Sequence, residues 1–177
     1  LAWAAGRSPA LPPARQASDY ARELAARKAG EDARETAAFW RAQYHTIPDP
    51  LNLPIERPRP AVHQFRGRRL GVTWEPDLLE RVRQFAAARR VTTFATLLAG
   101  FQAVIARLSG QTDFVIGVPM AGQALVDGGE HLIVHGVNFV ALRSLVEPSA
   151  SFDTHVERVA RQGLDVNDHQ EYTYLNL

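Results

Sequence analysis

The sequence predicts an α/β domain in which helices pack on a sheet, and the stretch 92–122 carries most of this prediction. Between Phe94 and Leu108, large apolar residues recur at spacings of three and four, which is typical of an amphipathic helix. Residues 113–119, DFVIGVP, form a short apolar run typical of a strand buried on both faces. A wide apolar helix followed almost at once by such a strand indicates a layered α/β core.

Length and composition limit the organisation of the chain. With 177 residues and 46% hydrophobic content, one domain is expected, and we place it at 17–177 after a linker at 1–16. The net charge of +1, with both signs interspersed, argues against a nucleic-acid or membrane-surface protein. No apolar run approaches the roughly 20 residues of a membrane span. The absence of cysteine excludes disulfides and thiolate chemistry and favours the reducing cytoplasm.

The first elements in chain order are a linker and two helices. Residues 6–16 contain three prolines and no periodicity, so we expect an extended linker. Ser18 or Asp19 is predicted to cap a helix that ends at Gly30. A second helix is expected over 32–44, with Thr36, Ala38 and Ala42 facing inward and Phe39, Trp40 and Tyr44 in core packing.

Two non-helical segments follow. Five prolines over 47–60 exclude a helix and any central strand, so this segment should be extended on a surface. The alternation over 63–74 predicts a strand with one face exposed. The segment contains three arginines, Arg66, Arg68 and Arg69. They have two interpretations, a solvated strand edge or a phosphate-binding patch.

The remaining elements are helices and a second strand region. Pro76 is suited to the first turn of a helix whose inward residues are Leu78, Leu79, Val82, Phe85 and Ala86. For the helix after it, we expect a cap at Thr92 or Thr93 and a left-handed end at Gly110. A glycine-rich loop at 127–129 precedes strand material over 132–146, interrupted at Gly136. A last amphipathic helix is predicted over 151–167, with Phe152, Val156, Val159 and Leu164 inward.

The histidines do not form a convincing metal site. His131 and His135 are four residues apart, which suits two metal ligands on a helix. The β-branched residues between them favour a strand instead, and there the two rings would be ~13 Å apart. The sequence also lacks a nucleophile elbow, a phosphate-binding glycine loop and a dinucleotide fingerprint. We therefore predict no metal.

Two polar residues stand out inside the apolar run GVNFVALR. Asn138 and Arg143 must find partners there, because a buried polar group without partners costs several kcal/mol. Two interpretations remain, a structural hydrogen-bond network or the lining of a substrate cleft.

Six phrases, taken in order, resemble the second half of a condensation domain of nonribosomal peptide synthetases. They are ASDYARELA, FWRAQYHTIPDPLNLPIERPRP, FRGRRL, TTFATLLAGFQAVIARLSGQTDFVIGVPMAG, HGVNFVALR and DHQEYTY. The resemblance covers nearly the whole chain and rests on the order and spacing of the phrases. It implies an α/β fold of the chloramphenicol-acetyltransferase type, with a central mixed sheet flanked by helices. The chain would be the carboxyl-terminal one of two lobes, cut off at its carboxyl end.

The resemblance also implies a reaction and partners. An amine carried on one phosphopantetheine arm attacks a thioester carried on another, and an amide results; tethering makes the step effectively unimolecular. The partners would be the N-terminal lobe of the same domain and the donor and acceptor carrier proteins, and the arms act as substrates rather than bound cofactors. Substrate-binding roles are implied for Asn138, Arg143, His169 and Gln170, although a structural ion pair is the favoured reading of Arg143.

The chain departs from the family pattern in two important ways. The His-His-x-x-x-Asp-Gly motif, whose second histidine is the expected base, does not occur, so no catalytic residue is assigned and the isolated chain should be inactive. Gln123 stands where many relatives have an arginine that pairs with the aspartate of that motif. Two alternatives stay open, a non-catalytic lobe that docks carrier proteins and an epimerising or cyclising enzyme of the same fold.

Overall fold

A computed structural model describes residues 4, 6, 8, 13–56, 58, 60–62, 64–65 and 67–172. The helices are α1 (Ala17–Lys28), α2 (Glu31–Gln43), α3 (Pro76–Ala88), α4 (Thr93–Ser109) and α5 (Phe152–Asp168), and the strands are β1 (Asp113–Ala121) and β2 (Val137–Leu145). The chain forms two compact units. Unit 1 comprises Leu1–His45, Gly117–Ala141 and His169–Leu177, and unit 2 comprises Thr46–Ile116 and Leu142–Asp168. The predicted α/β class is confirmed.

The two strands pair in an antiparallel sheet. Backbone hydrogen bonds of 2.8 Å lie beyond both ends of the ladder, from Gly122 to Gly136 and from Val146 to Thr112. The predicted burial of β1 on both faces is wrong, because Phe114 and Val118 are buried whereas Val115 is 36% exposed. Only these two strands occur among the described residues.

The first unit contains both N-terminal helices. Its core joins Tyr20 of α1 to Val126 and Leu132, with Leu24 and Val134 packed beside them. The predicted helix at 32–44 is confirmed to within one residue. The predicted cap at Ser18 or Asp19 is wrong, since α1 begins at Ala17 and its N-cap, Gln16, makes no side-chain capping bond.

The inward face predicted for α2 is partly wrong. Trp40 is almost completely buried, and Thr36 and Phe39 are half-buried, but Ala38 and Ala42 are exposed. Large aromatic rings reach the core from positions where a methyl side chain cannot. The predicted core packing of the aromatic residues is confirmed by ring contacts from Trp40 to both Phe39 and Tyr44.

The predicted strand over 63–74 is also wrong. His63 and Arg66 lie outside the described residues, and the rest of the segment has no ladder partner there. Its apolar side chains are exposed, with 89% for Phe65 and Leu70 and 72% for Val72. Alternation alone does not make a strand, because an extended segment needs a neighbour to satisfy its backbone groups.

The second unit is built around α4. Its predicted termini are confirmed, since the Thr92 hydroxyl accepts a 3.0 Å bond from the Ala95 N–H and Gly110 is left-handed at φ 72°. Pro76 opens α3 as predicted. The core lies between the small face of α4 and α5, where Ala95 and Ala99 meet Val156 and Val159.

The face of α4 predicted to be inward is largely exposed in the described residues. Five large apolar residues of this face are 36–61% exposed: Phe94, Leu97, Phe101, Val104 and Leu108. Small residues on the opposite face let the two helix backbones approach closely, so α5 packs there. On α5 itself Val156 and Val159 are inward as predicted, whereas Phe152 and Leu164 are 43% and 68% exposed.

His155 on α5 is buried, although the sequence pattern does not predict it. The residue is 5% exposed, and among the described residues neither ring nitrogen has a hydrogen-bond partner. Burial lowers the pKa of the imidazole, and the charge of Arg158 lowers it further, while the Ala99 backbone acts weakly in the opposite sense. The folded chain therefore favours the neutral ring.

The free energy of unfolding should consequently fall as the pH drops below about 6.5, the ordinary histidine pKa. The unfolded chain takes up a proton there that the folded chain does not, with a slope approaching about 1.4 kcal/mol per pH unit until the folded-state pKa is reached. His155→Leu should remove this contribution. His131→Leu, at a side chain 70% exposed, should retain it. Urea unfolding between about pH 7 and pH 5 measures both, and equal slopes in wild type and His155→Leu would contradict the assignment.

No single helix of the described residues is long and apolar enough to cross a membrane. The helices α3 and α4 reach the required length and composition only as a pair, with a bend of 106° between them.

Candidate functional site

Three of the four predicted site residues come together in unit 1. His169 and Gln170 lie in the turn after α5, and Asn138 lies near the start of β2. The Asn138 side-chain Nδ2 donates to the Gln170 carbonyl at 2.7 Å and to the Tyr172 carbonyl at 3.5 Å. Asn138 therefore ties the strand to the turn 169–172.

The helix α2 of unit 1 anchors the same turn. The Trp40 indole donates from Nε1 to the His169 carbonyl at 2.8 Å. The His169 Nδ1 lies 3.2 Å from the Thr36 hydroxyl, and its ring stacks on Phe39 with centroids 4.2 Å apart. These contacts commit His169 to holding the turn, and its side chain is not among those that line the adjacent cavity.

A cavity of about 190 Å³ lies beside this turn. Asn138, Gln170 and Glu171 contribute polar groups to its lining, and Val126 and Val137 add apolar surface. One face of α1 forms a further wall, with Tyr20, Leu24, Arg27 and Lys28. The site can accept a small group with an apolar part and hydrogen-bonding atoms.

Alternating charges brace the wall formed by α1. The Arg27 guanidinium lies 2.7 Å from the Glu171 carboxylate and 3.2 Å from Glu23. Arg15 also pairs with Glu23, and it donates to the Asp127 carbonyl at 2.6 Å. The hydrogen bond to Glu171 is the main reason that the pKa of Arg27 is raised, against the opposing effect of partial burial. The network joins α1 to the turn on one side and to the loop at 127 on the other.

Sequence reasoning missed the contribution of α1 to this cavity. The sequence patterns do not single out Tyr20, Arg27 or Lys28 as site residues. The sequence does contain a signal for this wall, because the spacing of positions 20, 24, 27 and 28 places them on one face of a helix. That face combines a ring, an aliphatic side chain and two cations, which a periodicity search for apolar residues does not select.

The fourth predicted residue, Arg143, lies in unit 2 and forms a structural ion pair. Its guanidinium contacts the Asp113 carboxylate at 2.6 and 2.9 Å, in a fork-like arrangement. It also donates to the Thr46 carbonyl at 2.9 Å, and its own carbonyl accepts from Gln162 at 2.6 Å. The hydrogen bond from Arg143 is the main reason that the pKa of Asp113 is lowered. The pairing of Arg143 with a carboxylate is observed, while its substrate contact stays a prediction.

The two histidines considered as metal ligands lie in irregular backbone. His131 ends a 3-10 turn, Gly129–His131, and His135 lies in a segment without regular structure, so the predicted strand over 132–136 is wrong. The Leu132 N–H donates to the Gly129 carbonyl and closes the 3-10 turn. Within the described ranges, no three histidine, aspartate or glutamate side chains are placed to hold a metal ion.

Gln123 is held inside its own loop. Its Oε1 is buried and has no partner within the part of the chain that the structure describes, and a Cβ added at Gly136 would lie 2.2 Å from that atom. The side chain therefore packs against the Gly136 backbone.

Comparison with known proteins identifies relatives over the full length of the chain. The Condensation domain family matches residues 1–177. The chain is 37% identical over 173 residues to phosphinothricin tripeptide synthetase PhsB of Streptomyces viridochromogenes. This alignment covers 97% of this chain and 14% of that protein. It is 34% identical over 174 residues to malpinin synthetase of Mortierella alpina, and this alignment covers 98% of this chain and 2% of that protein. The chain spans at most 14% of either relative.

Two solved structures have a similar fold. The first condensation domain of the CDA synthetase superposes with a TM-score of 0.80 at 22% identity, over 99% of this chain and 38% of that one. The X-domain from teicoplanin biosynthesis superposes with a TM-score of 0.83 at 22% identity. The match covers 98% of this chain and 40% of the X-domain chain. At this identity the likeness establishes the fold. It agrees with the predicted α/β class, whereas the sheet of the described residues has two antiparallel strands and is not mixed.

Proposed function

Because the chain belongs to the condensation-domain family, we propose that it is the carboxyl-terminal lobe of an amide-forming domain in a nonribosomal peptide synthetase. The amine of a carrier-bound acceptor attacks the carbonyl carbon of a carrier-bound thioester. A C–N bond forms, the C–S bond breaks, the thiol leaves, and the amine gives up one proton. The match of the family to all 177 residues carries this proposal.

The proposed substrates are acyl and aminoacyl groups on phosphopantetheine arms, and the proposed partners are the donor and acceptor carrier proteins and the N-terminal lobe. The cytoplasm is the proposed compartment. Support comes from the relative in Streptomyces viridochromogenes, which is a tripeptide synthetase. The proton acceptor is assigned to the N-terminal lobe, because the His-His-x-x-x-Asp-Gly motif does not occur in this sequence.

The contribution of this lobe is to position substrate. Asn138 is fixed to the turn 169–172, and the cavity beside it offers polar atoms on an otherwise partly apolar wall. Holding a reactant in place beside a second tethered reactant is a large source of acceleration. Arg143 contributes by bracing β1 against β2 through Asp113.

The test is reconstitution of the complete domain with a loaded donor carrier and a loaded acceptor carrier. We expect mass spectrometry to detect the amide on the acceptor carrier. Replacing the second histidine of the motif in the N-terminal lobe by alanine should lower the rate by at least about a hundredfold. The isolated 177-residue chain should form no amide.

Two results would contradict the proposal. Saturable carrier binding without any amide from the complete domain would indicate a docking lobe. Product with an inverted stereocentre or a new ring, in place of the linear amide, would indicate the epimerising or cyclising alternative.

A further inference from the structure

We infer that Asn138 binds its substrate as a hydrogen-bond acceptor, through Oδ1, and therefore recognises an N–H group. This inference rests on the proposed function and specifies the chemistry of the position that the proposal assigns to Asn138.

The orientation of the Asn138 amide is fixed by its partners. Both are main-chain carbonyls, Gln170 at 2.7 Å and Tyr172 at 3.5 Å, and a carbonyl can only accept. The nitrogen must therefore face the turn, and a flipped amide would place oxygen against oxygen. The Nδ2 group is engaged by the turn in this way, chiefly through the 2.7 Å bond to Gln170.

The remaining polar atom of the side chain is Oδ1. Among the described residues it has no hydrogen-bond donor, and Asn138 is half-buried at the wall of the cavity. A ligand in that cavity thus meets an acceptor with free lone pairs and no donor from this residue. Leaving such an acceptor without a partner in a desolvated complex is unfavourable, so the matching ligand group is a donor.

The orientation is also well supported. The turn is held from α2 by Trp40 and Thr36 through His169, and from α1 by Arg27 through Glu171. Two helices thus hold the turn whose carbonyls orient Asn138. A polar group held in this way is preorganised and loses little freedom on binding.

Two N–H sources share this chemistry, the attacking amine of the acceptor and an amide N–H of the arm that carries it. The experiment separates them by removing one N–H at a time. One acceptor carries an N-methyl amine, and another has a single arm amide replaced by an ester. The apparent KM and kcat for each acceptor are measured with the complete domain, in the wild type and in variants.

Asn138→Ala should raise the acceptor KM about tenfold, the effect of one lost hydrogen bond, with a smaller change in kcat. Asn138→Asp keeps an acceptor oxygen but cannot donate to the turn, so it should lower stability and raise KM by less than Asn138→Ala does. Thr36→Val is the matched control, because it loosens the same turn at His169 and keeps the Asn138 side chain; its KM should also rise by less than that of Asn138→Ala.

In the wild type, removing the recognised N–H should raise KM about tenfold, and in Asn138→Ala the same removal should have no further effect. The acceptor that behaves so identifies the source of the N–H. Equal KM increases in Asn138→Ala, Asn138→Asp and Thr36→Val would overturn the inference, because they would reduce Asn138 to a support for the turn. So would N–H removals that cost the wild type and Asn138→Ala equally. Failure of the proposed function gives a different result, the absence of amide from the wild-type domain.

Discussion

Trp40→Ala should lower the free energy of unfolding by about 4 kcal/mol, the usual cost of removing a buried tryptophan side chain. Trp40 is 1% exposed and is among the largest fully buried side chains of the described residues. Its ring packs edge-on against Phe39 at 5.3 Å and stacks near Tyr44 at 6.5 Å. The substitution removes these contacts and the indole N–H that serves the His169 carbonyl. Urea unfolding followed by circular dichroism measures the change without depending on tryptophan fluorescence.

Two further variants separate packing from hydrogen bonding. Trp40→Phe keeps most of the apolar contact but leaves the His169 carbonyl without the indole donor, so we expect a smaller loss of about 1–3 kcal/mol. Trp74→Ala, at a side chain 48% exposed in an irregular segment, is the control and should cost less than about 1 kcal/mol. Equal losses in Trp40→Ala and Trp74→Ala would mean that Trp40 does not organise unit 1.

Features set by nearby residues were predictable from the sequence. The cap at Thr92, the left-handed Gly110 and the opening of α3 at Pro76 depend on local geometry, and all three are observed. The inward face of α4 was not predictable in the same way. That helix carries large apolar residues on one side and small ones on the other, and burial is decided by where α5 packs. Periodicity finds the stripe of large residues but contains no information about the neighbour.

The site shows the same division. Asn138, His169 and Gln170 were selected by resemblance, and the structure places them together, although 31 residues of sequence separate Asn138 from His169. The α1 wall and the anchoring of the turn by Trp40 were missed, because both depend on contacts between segments far apart in sequence. The sequence contains the residues of such a site, but only the folded chain shows their partners.

Gly129→Ala should destabilise the chain by about 3 kcal/mol, at the upper end of the usual cost of overpacking. A Cβ at this position would lie 1.8 Å from the Gln123 carbonyl oxygen and 2.9 Å from its carbon. Both are backbone atoms, so no side-chain rotation relieves the clash. The backbone must move between Gln123 and Gly129, where the Gly129 N–H donates to the Val126 carbonyl. That movement would displace Val126 from its contact with Tyr20, at the wall of the cavity.

Other glycines of the chain provide the controls for this prediction. At Gly163 in α5 an added Cβ meets nothing within 4 Å, so Gly163→Ala should stabilise by up to about 1 kcal/mol through helix propensity. Gly128→Ala meets no clash but occupies φ 69°, and the strain should cost about 1 kcal/mol. Unfolding in urea should therefore rank the stabilities as Gly163→Ala, wild type, Gly128→Ala and Gly129→Ala. If Gly129→Ala matched Gly128→Ala, the close approach of residues 123 and 129 would not exist in solution. The loop would then be free to move Val126 away from Tyr20, and the cavity would lack a fixed wall.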